Sequence, residues 1–260
     1  MLRNFLRVYR EAHVPFFAAA LAYYALLSLM PLLLLLAGLF GLLLAGNPAL
    51  RAEAFEGLTE LTLALFPARP ELAADLLSFL TRGAFPLTLG SGLLLLWSGS
   101  NFFAALSYAL GLVFGRPFGL RHRLLGLLMP PLLALSLILL ALLGLALGFL
   151  LRFLPPEGRA VLGSLEALLP LLAAFLLFLL TYVLFRGLKG FGDLLPLSVG
   201  AGVAALLFEA VRLGLPKLLP RSSYELLYGP LAGFVLALLG LYLVLYALLL
   251  GAVVAQSLEA

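Results

Sequence analysis

Glu209 and Arg212 stand three residues apart inside the apolar run from Leu194 to Leu215, so on a helix they share one face and can pair. If that run spans a membrane with its centre near Ala204, Glu209 lies about 7 Å from the midplane and Arg212 about 12 Å, within reach of headgroups for a long arginine. Glu209 is then the costlier residue. A carboxylate in hydrocarbon has to face protein or water, which makes it the candidate for a proton-coupled or substrate-coupled group; a structural ion pair near the outer interface is the competing reading.

Two further polar insertions interrupt leucine-rich runs. Trp97, Ser98, Ser100 and Asn101 form one, with Ser98 and Asn101 on one helix face and the Trp97 indole adjacent. They could line a hydrophilic groove or hydrogen-bond across helices. Tyr24 and Ser28 form the other as i, i+4 neighbours, with Pro31 on nearly the same side, which predicts a polar stripe aimed inward. Arg116, Arg121 and Arg123 cluster in a short connection, where they could hold anionic headgroups or simply set topology.

Other chemistry finds little support. His13 and His122 stand alone, with no second histidine or paired carboxylate at ligand spacing, so no metal site and no cofactor is expected. Cysteine is absent, which excludes a disulfide framework, a thiolate metal site and a thiol nucleophile. There is no G-x-S-x-G, no H-E-x-x-H and no P-loop, so the chain is not expected to be an enzyme. The net charge of +4 comes from arginines scattered over short loops rather than one basic face, which points to membrane lipids as partners and away from nucleic acid.

The elements that position these residues follow from composition. Of 260 residues, 64% are hydrophobic and only 11% charged, a balance that excludes a soluble globular domain and implies an all-α integral membrane protein. About 20 apolar residues cross the hydrocarbon core as a helix. Six spans fit: 16–45, 85–110, 124–151, 165–185, 194–215 and 229–256, forming a single polytopic domain over 1–260. The first could be read as a signal peptide behind Arg3, Arg7 and Arg10, but its apolar run is about twice the usual length. Lysines and arginines divide equally between the two sides. They are denser in the N-terminal tail and the two very short loops, which places both termini in the cytoplasm.

Residues 46–84 are the one long connection, placed outside the cytoplasm. Apolar residues from Leu50 to Leu65 and from Leu72 to Leu80 recur at helical spacing, predicting two amphipathic helices split at Pro67 to Pro70. They could lie on the outer surface or cover a cavity as a lid. Pro86, Pro196 and Pro230 mark span starts, whereas Pro31, Pro130, Pro131 and Pro170 lie deeper and predict kinks or shifted starts. Gly111 with Gly115, Gly144 with Gly148, and Gly229 with Gly233 have the small-xxx-small spacing of close helix packing.

Together these landmarks resemble the YihY/BrkB family of bacterial inner-membrane proteins. The resemblance rests on the run from Ala20 to Leu33, on Trp97-Ser98-Gly99-Ser100, on Tyr224 to Gly229 and on Gly251-Ala252, and it covers nearly the whole chain. One departure is Glu225, which follows Tyr224 where the family pattern carries an Asn before the Tyr-Gly pair. The resemblance implies six helices with cytoplasmic termini in the inner membrane. The family's old label as ribonuclease BN does not fit a chain without a histidine and carboxylate cluster or a basic RNA-binding surface. It also implies a role in envelope integrity and serum resistance, and movement of lipids or envelope precursors.

The function expected is therefore translocation of a lipid, an anionic or otherwise amphipathic molecule, or an envelope precursor through an inward-facing polar cavity lined from spans one, two and five. A non-transporting scaffold for envelope machinery is the alternative, and a homo-oligomer is compatible with either.

Overall fold

The computed structural model describes residues 2–65, 74, 75, 78, 83–115, 156–187, 190–219 and 226–259. All regular structure among them is helical. The helices are α1 (Leu2–Glu11), α2 (Val14–Gly46), α3 (Pro48–Leu65), α4 (Ala84–Val113), α5 (Pro156–Arg186), α6 (Leu194–Leu218) and α7 (Ala232–Glu259). Short 3-10 turns, Phe191–Asp193 and Gly229–Leu231, lead into α6 and α7.

Four of these helices, α2, α4, α6 and α7, are long and apolar enough to cross a membrane. Their limits fall within three residues of the expected first, second, fifth and sixth spans. The expected fourth span lies inside α5, which begins nine residues before it at Pro156 and carries a shorter apolar stretch, Pro170–Arg186. The expected third span falls outside the described residues. Helical structure continues through both Pro31 in α2 and Pro170 in α5.

The chain divides into two compact units, residues 1–26 with 100–260, and residues 27–99. In the first, α6 packs on both α5 and α7, and α1 packs on α7. Its core takes one face from each participating helix: Val14, Ala18 and Leu21; Phe103, Leu106 and Leu110; Phe178, Tyr182 and Phe185; Leu197, Ala201 and Ala204; Leu249, Ala252 and Val253. These sets recur at three- and four-residue steps, as required of a helix with one buried side. With lipid as apolar as leucine, close van der Waals packing holds such faces together.

Small residues set how near the helices come. A Cβ added at Gly200 would collide with the Gly251 carbonyl oxygen and lie 2.7 Å from the Ala255 Cβ. One added at Gly251 would lie 2.5 Å from the Gly200 oxygen and 2.7 Å from the Ala204 Cβ. Gly200 with Ala204 and Gly251 with Ala255 are thus the working small-xxx-small pairs. Three of the six glycines singled out by spacing behave differently. Among the described residues a Cβ at Gly115, Gly229 or Gly233 would meet nothing within 4 Å, and Gly144 and Gly148 lie outside those residues. Gly115 and Gly229 instead have positive φ, 63° and 53°, and serve the turns that end α4 and precede α7.

Residues 27–99 contain the rest of α2, α3 and the start of α4. Here Gly38 admits α4, since a Cβ would sit 2.5 Å from Thr88 Oγ1 and 2.9 Å from its backbone nitrogen. Asn47 caps α3: its Oδ1 accepts from the Ala49 and Leu50 amides at 3.1 and 3.2 Å, and Pro48 follows at the position where its missing N–H costs nothing. A helix therefore covers Leu50 to Leu65, where the first connection helix is expected. Of the second, only Ala74, Asp75 and Ser78 are described, all helical.

Candidate functional site

Glu209 and Arg212 meet as their spacing predicts. Arg212 Nε donates to Glu209 Oε2 at 2.8 Å and Nη2 donates to Oε1, a two-pronged pair along one side of α6. The Glu209 side chain is 19% exposed and that of Arg212 41%. The carboxylate is thus the shielded partner, and the guanidinium lies outward of it. In a span this pairing offsets part of the cost of either charge alone.

The same helix borders a different kind of space on its other side. A cavity of about 400 Å³ between α6 and α7 is lined by Leu207, Val211, Gly214, Leu243, Tyr246 and Leu250 among others. At about 100° of rotation per residue, Glu209 and Arg212 project opposite to Leu207, Val211 and Gly214, and neither lines this cavity. Polar pair and apolar crevice occupy opposite sides of α6.

The polar residues of the first two spans are distributed over their helices. On α4, Ser98 is buried and its hydroxyl donates to the Leu95 carbonyl at 3.4 Å. Trp97 is 67% exposed, beside Leu93 and Leu96, which are exposed as well. Asn101 is half-buried. The indole and the serine therefore stand on different sides of the helix. On α2, Tyr24, Ser28 and Pro31 are all half-buried, and the Tyr24 ring lies 5.9 Å from that of Tyr23. Ser98 and Thr88 belong to a run of hydroxyls bonded to carbonyls of their own helix, with Ser91, a pattern that satisfies the hydroxyl locally. Arg116, Arg121 and Arg123 lie outside the described residues, as do Tyr224 and Glu225.

Sequence reasoning missed a cluster that ties three helices. Tyr182, on the buried side of α5 one turn before its C-terminal end, donates its hydroxyl to the Leu248 carbonyl of α7 at 2.6 Å. A Cβ at Gly251 would lie 2.6 Å from that hydroxyl, so only glycine leaves room for it. One turn further on, Arg186 Nη1 pairs with Glu259 Oε1 at the end of α7, and Nη2 lies 3.7 Å from Asp193 Oδ1 at the entry to α6. All three side chains are partly shielded, at 14%, 18% and 25% exposure. One end of α5, α6 and α7 is thereby closed by charge. The only local signal was the Thr181-Tyr182 pair in an otherwise apolar run, the tyrosine four residues before an arginine.

Among the described residues no group of three or more His, Asp or Glu side chains could hold a metal ion. The family model described as Virulence factor BrkB matches residues 5–260, and the chain belongs to that family. With its four long apolar helices, it is a multi-pass membrane protein. No curated protein and no solved structure matches it.

Proposed function

We propose that this member of the BrkB family resides in the bacterial inner membrane as a bundle of six spans with cytoplasmic termini. There it translocates a lipid or an envelope precursor through an inward-facing polar cavity. No catalytic step is assigned to it.

The observation that carries this reading is the Glu209–Arg212 pair within a membrane-length helix. An ion pair taken out of water rarely adds net stability over apolar residues, so a purely static span gains little by keeping one. A pair that can open and exchange partners offers a place where a proton or a charged headgroup enters the span. The apolar crevice on the opposite side of α6 suits an acyl chain in its leucine and valine lining. Lipid as the substrate class accords with both.

A scaffold without transport is favoured by a separate observation. The close contact of α6 and α7 through Gly200 and Gly251, and the Arg186 tie at their end, describe helices built to stay together. Reconstitution of the full chain into liposomes containing fluorescent phospholipid separates the readings. Protein-dependent movement between leaflets, slowed by E209Q, is expected for transport. No movement above empty vesicles favours the scaffold, and unchanged movement with E209Q retains transport but removes Glu209 from it.

A further inference from the structure

A free positively charged N-terminal tail would suffice to set topology, yet residues 2–11 form a helix with four distinct sides. At about 100° per residue, Phe5, Val8, Tyr9 and Ala12 fall in one sector, Leu2 and Leu6 in the next, Arg3, Arg7 and Arg10 in the one after, and Asn4 and the exposed Glu11 between Arg7 and Val8. The first sector is occupied by protein. Phe5 and Tyr9 stack with ring centroids 6.2 Å apart, the Tyr9 and Tyr246 hydroxyls lie 2.9 Å apart, and Ala12 is buried. His13, with φ 45°, then turns the chain into α2, with its amide bonded to the Arg10 carbonyl at 3.1 Å. Docking and turn together fix which way the leucine and arginine sectors point.

Those two sectors are not covered by protein. Leu2 is 74% exposed and Leu6 45%, and Arg3, Arg7 and Arg10 are exposed. No carboxylate among the described residues forms a salt bridge with any of the three arginines. Leucines flanked by an arginine stripe are what a helix needs to lie at a lipid boundary, its apolar side chains entering the acyl region and its guanidiniums at phosphate depth. The charge selects the lipid, because three cations beside one another match a surface of anionic headgroups.

We propose that α1 is an interfacial helix that binds anionic phospholipid, with Leu2 and Leu6 inserted below the headgroups and Arg3, Arg7 and Arg10 holding the phosphates. It is a lipid-binding surface distinct from the Glu209 site, and it stands whether or not the protein transports. Docking through Tyr9 joins it to α7, so headgroup binding also braces the last span.

The absence of cysteine makes the test direct. L6C in the full chain is reconstituted into nanodiscs with and without phosphatidylglycerol, and the introduced thiol is titrated with a charged, membrane-impermeant maleimide. Alkylation should be about tenfold slower or more in anionic discs, since each arginine contributes roughly fivefold near such a surface. R3Q/R7Q/R10Q should abolish the difference and R3K/R7K/R10K should largely keep it. Equal rates in the two lipids, or protection that survives R3Q/R7Q/R10Q, would overturn the proposal. The latter result, or protection appearing only on addition of an acidic protein, would assign the face to another partner. Should L6C disturb the helix, L2C reports from the same flank.

Discussion

The Tyr182 hydroxyl donates to the Leu248 carbonyl at 2.6 Å, joining α5 to α7 at the point where Gly251 leaves the space for it. Three features converge there: a tyrosine from α5, a bare backbone on α7 and the Gly200 backbone of α6. Each depends on the others. A side chain on either glycine would push the helices apart, and the phenol would then lose its carbonyl.

Removing only the hydroxyl, as in Y182F, should lower stability by about 1 kcal/mol, the net worth of an interhelical hydrogen bond. Y182A should cost about 3 kcal/mol or more, because it also leaves a cavity among Phe114, Phe185 and the α7 backbone. Unfolding in detergent followed by circular dichroism reads both. Indistinguishable transitions for Y182F and the unaltered chain would mean that the hydroxyl does no work.

The glycines give a sharper contrast because their spacing alone does not rank them. G200A and G251A should each lose about 1–3 kcal/mol, since the new Cβ meets backbone rather than the end of a flexible side chain. G233A, with nothing within 4 Å, should stay within about 0.5 kcal/mol of the unaltered chain. Equal losses at all three positions would contradict the packing described.

Glu209 and Arg212 can be tested as a pair. R212Q leaves a carboxylate in the span without its partner, so it should destabilise the protein more than R212Q combined with E209Q. Thermal unfolding of the four proteins of this double-mutant cycle measures the coupling. Strictly additive losses would mean that the two side chains do not interact in the membrane.

These features differ in how far the sequence exposes them. The limits of α2, α4, α6 and α7 are legible because each is a long apolar run ended by charge, proline or glycine, and hydrocarbon thickness imposes a minimum length. Glu209 with Arg212 is legible because both partners lie on one turn of one helix. Tyr182 with Leu248 and Arg186 with Glu259 are not, because each joins residues far apart in the chain and periodicity does not say which leucine-rich face meets which. The glycines show the same limit. Gly229 and Gly233 have the same four-residue spacing as Gly251 and Ala255, yet among the described residues only the latter pair meets another helix. Trp97 and Ser98 illustrate a further one: adjacency in sequence turns side chains about 100° apart on a helix, and here that separates an exposed ring from a buried hydroxyl.

The central claim is that the protein moves lipid across a bilayer, and the most direct measurement is the rate at which outer-leaflet fluorescent phospholipid becomes protected from a membrane-impermeant quencher in proteoliposomes. The account predicts a rate that rises with the number of protein copies per vesicle and falls with E209Q. A rate equal to that of protein-free vesicles at every loading would contradict it.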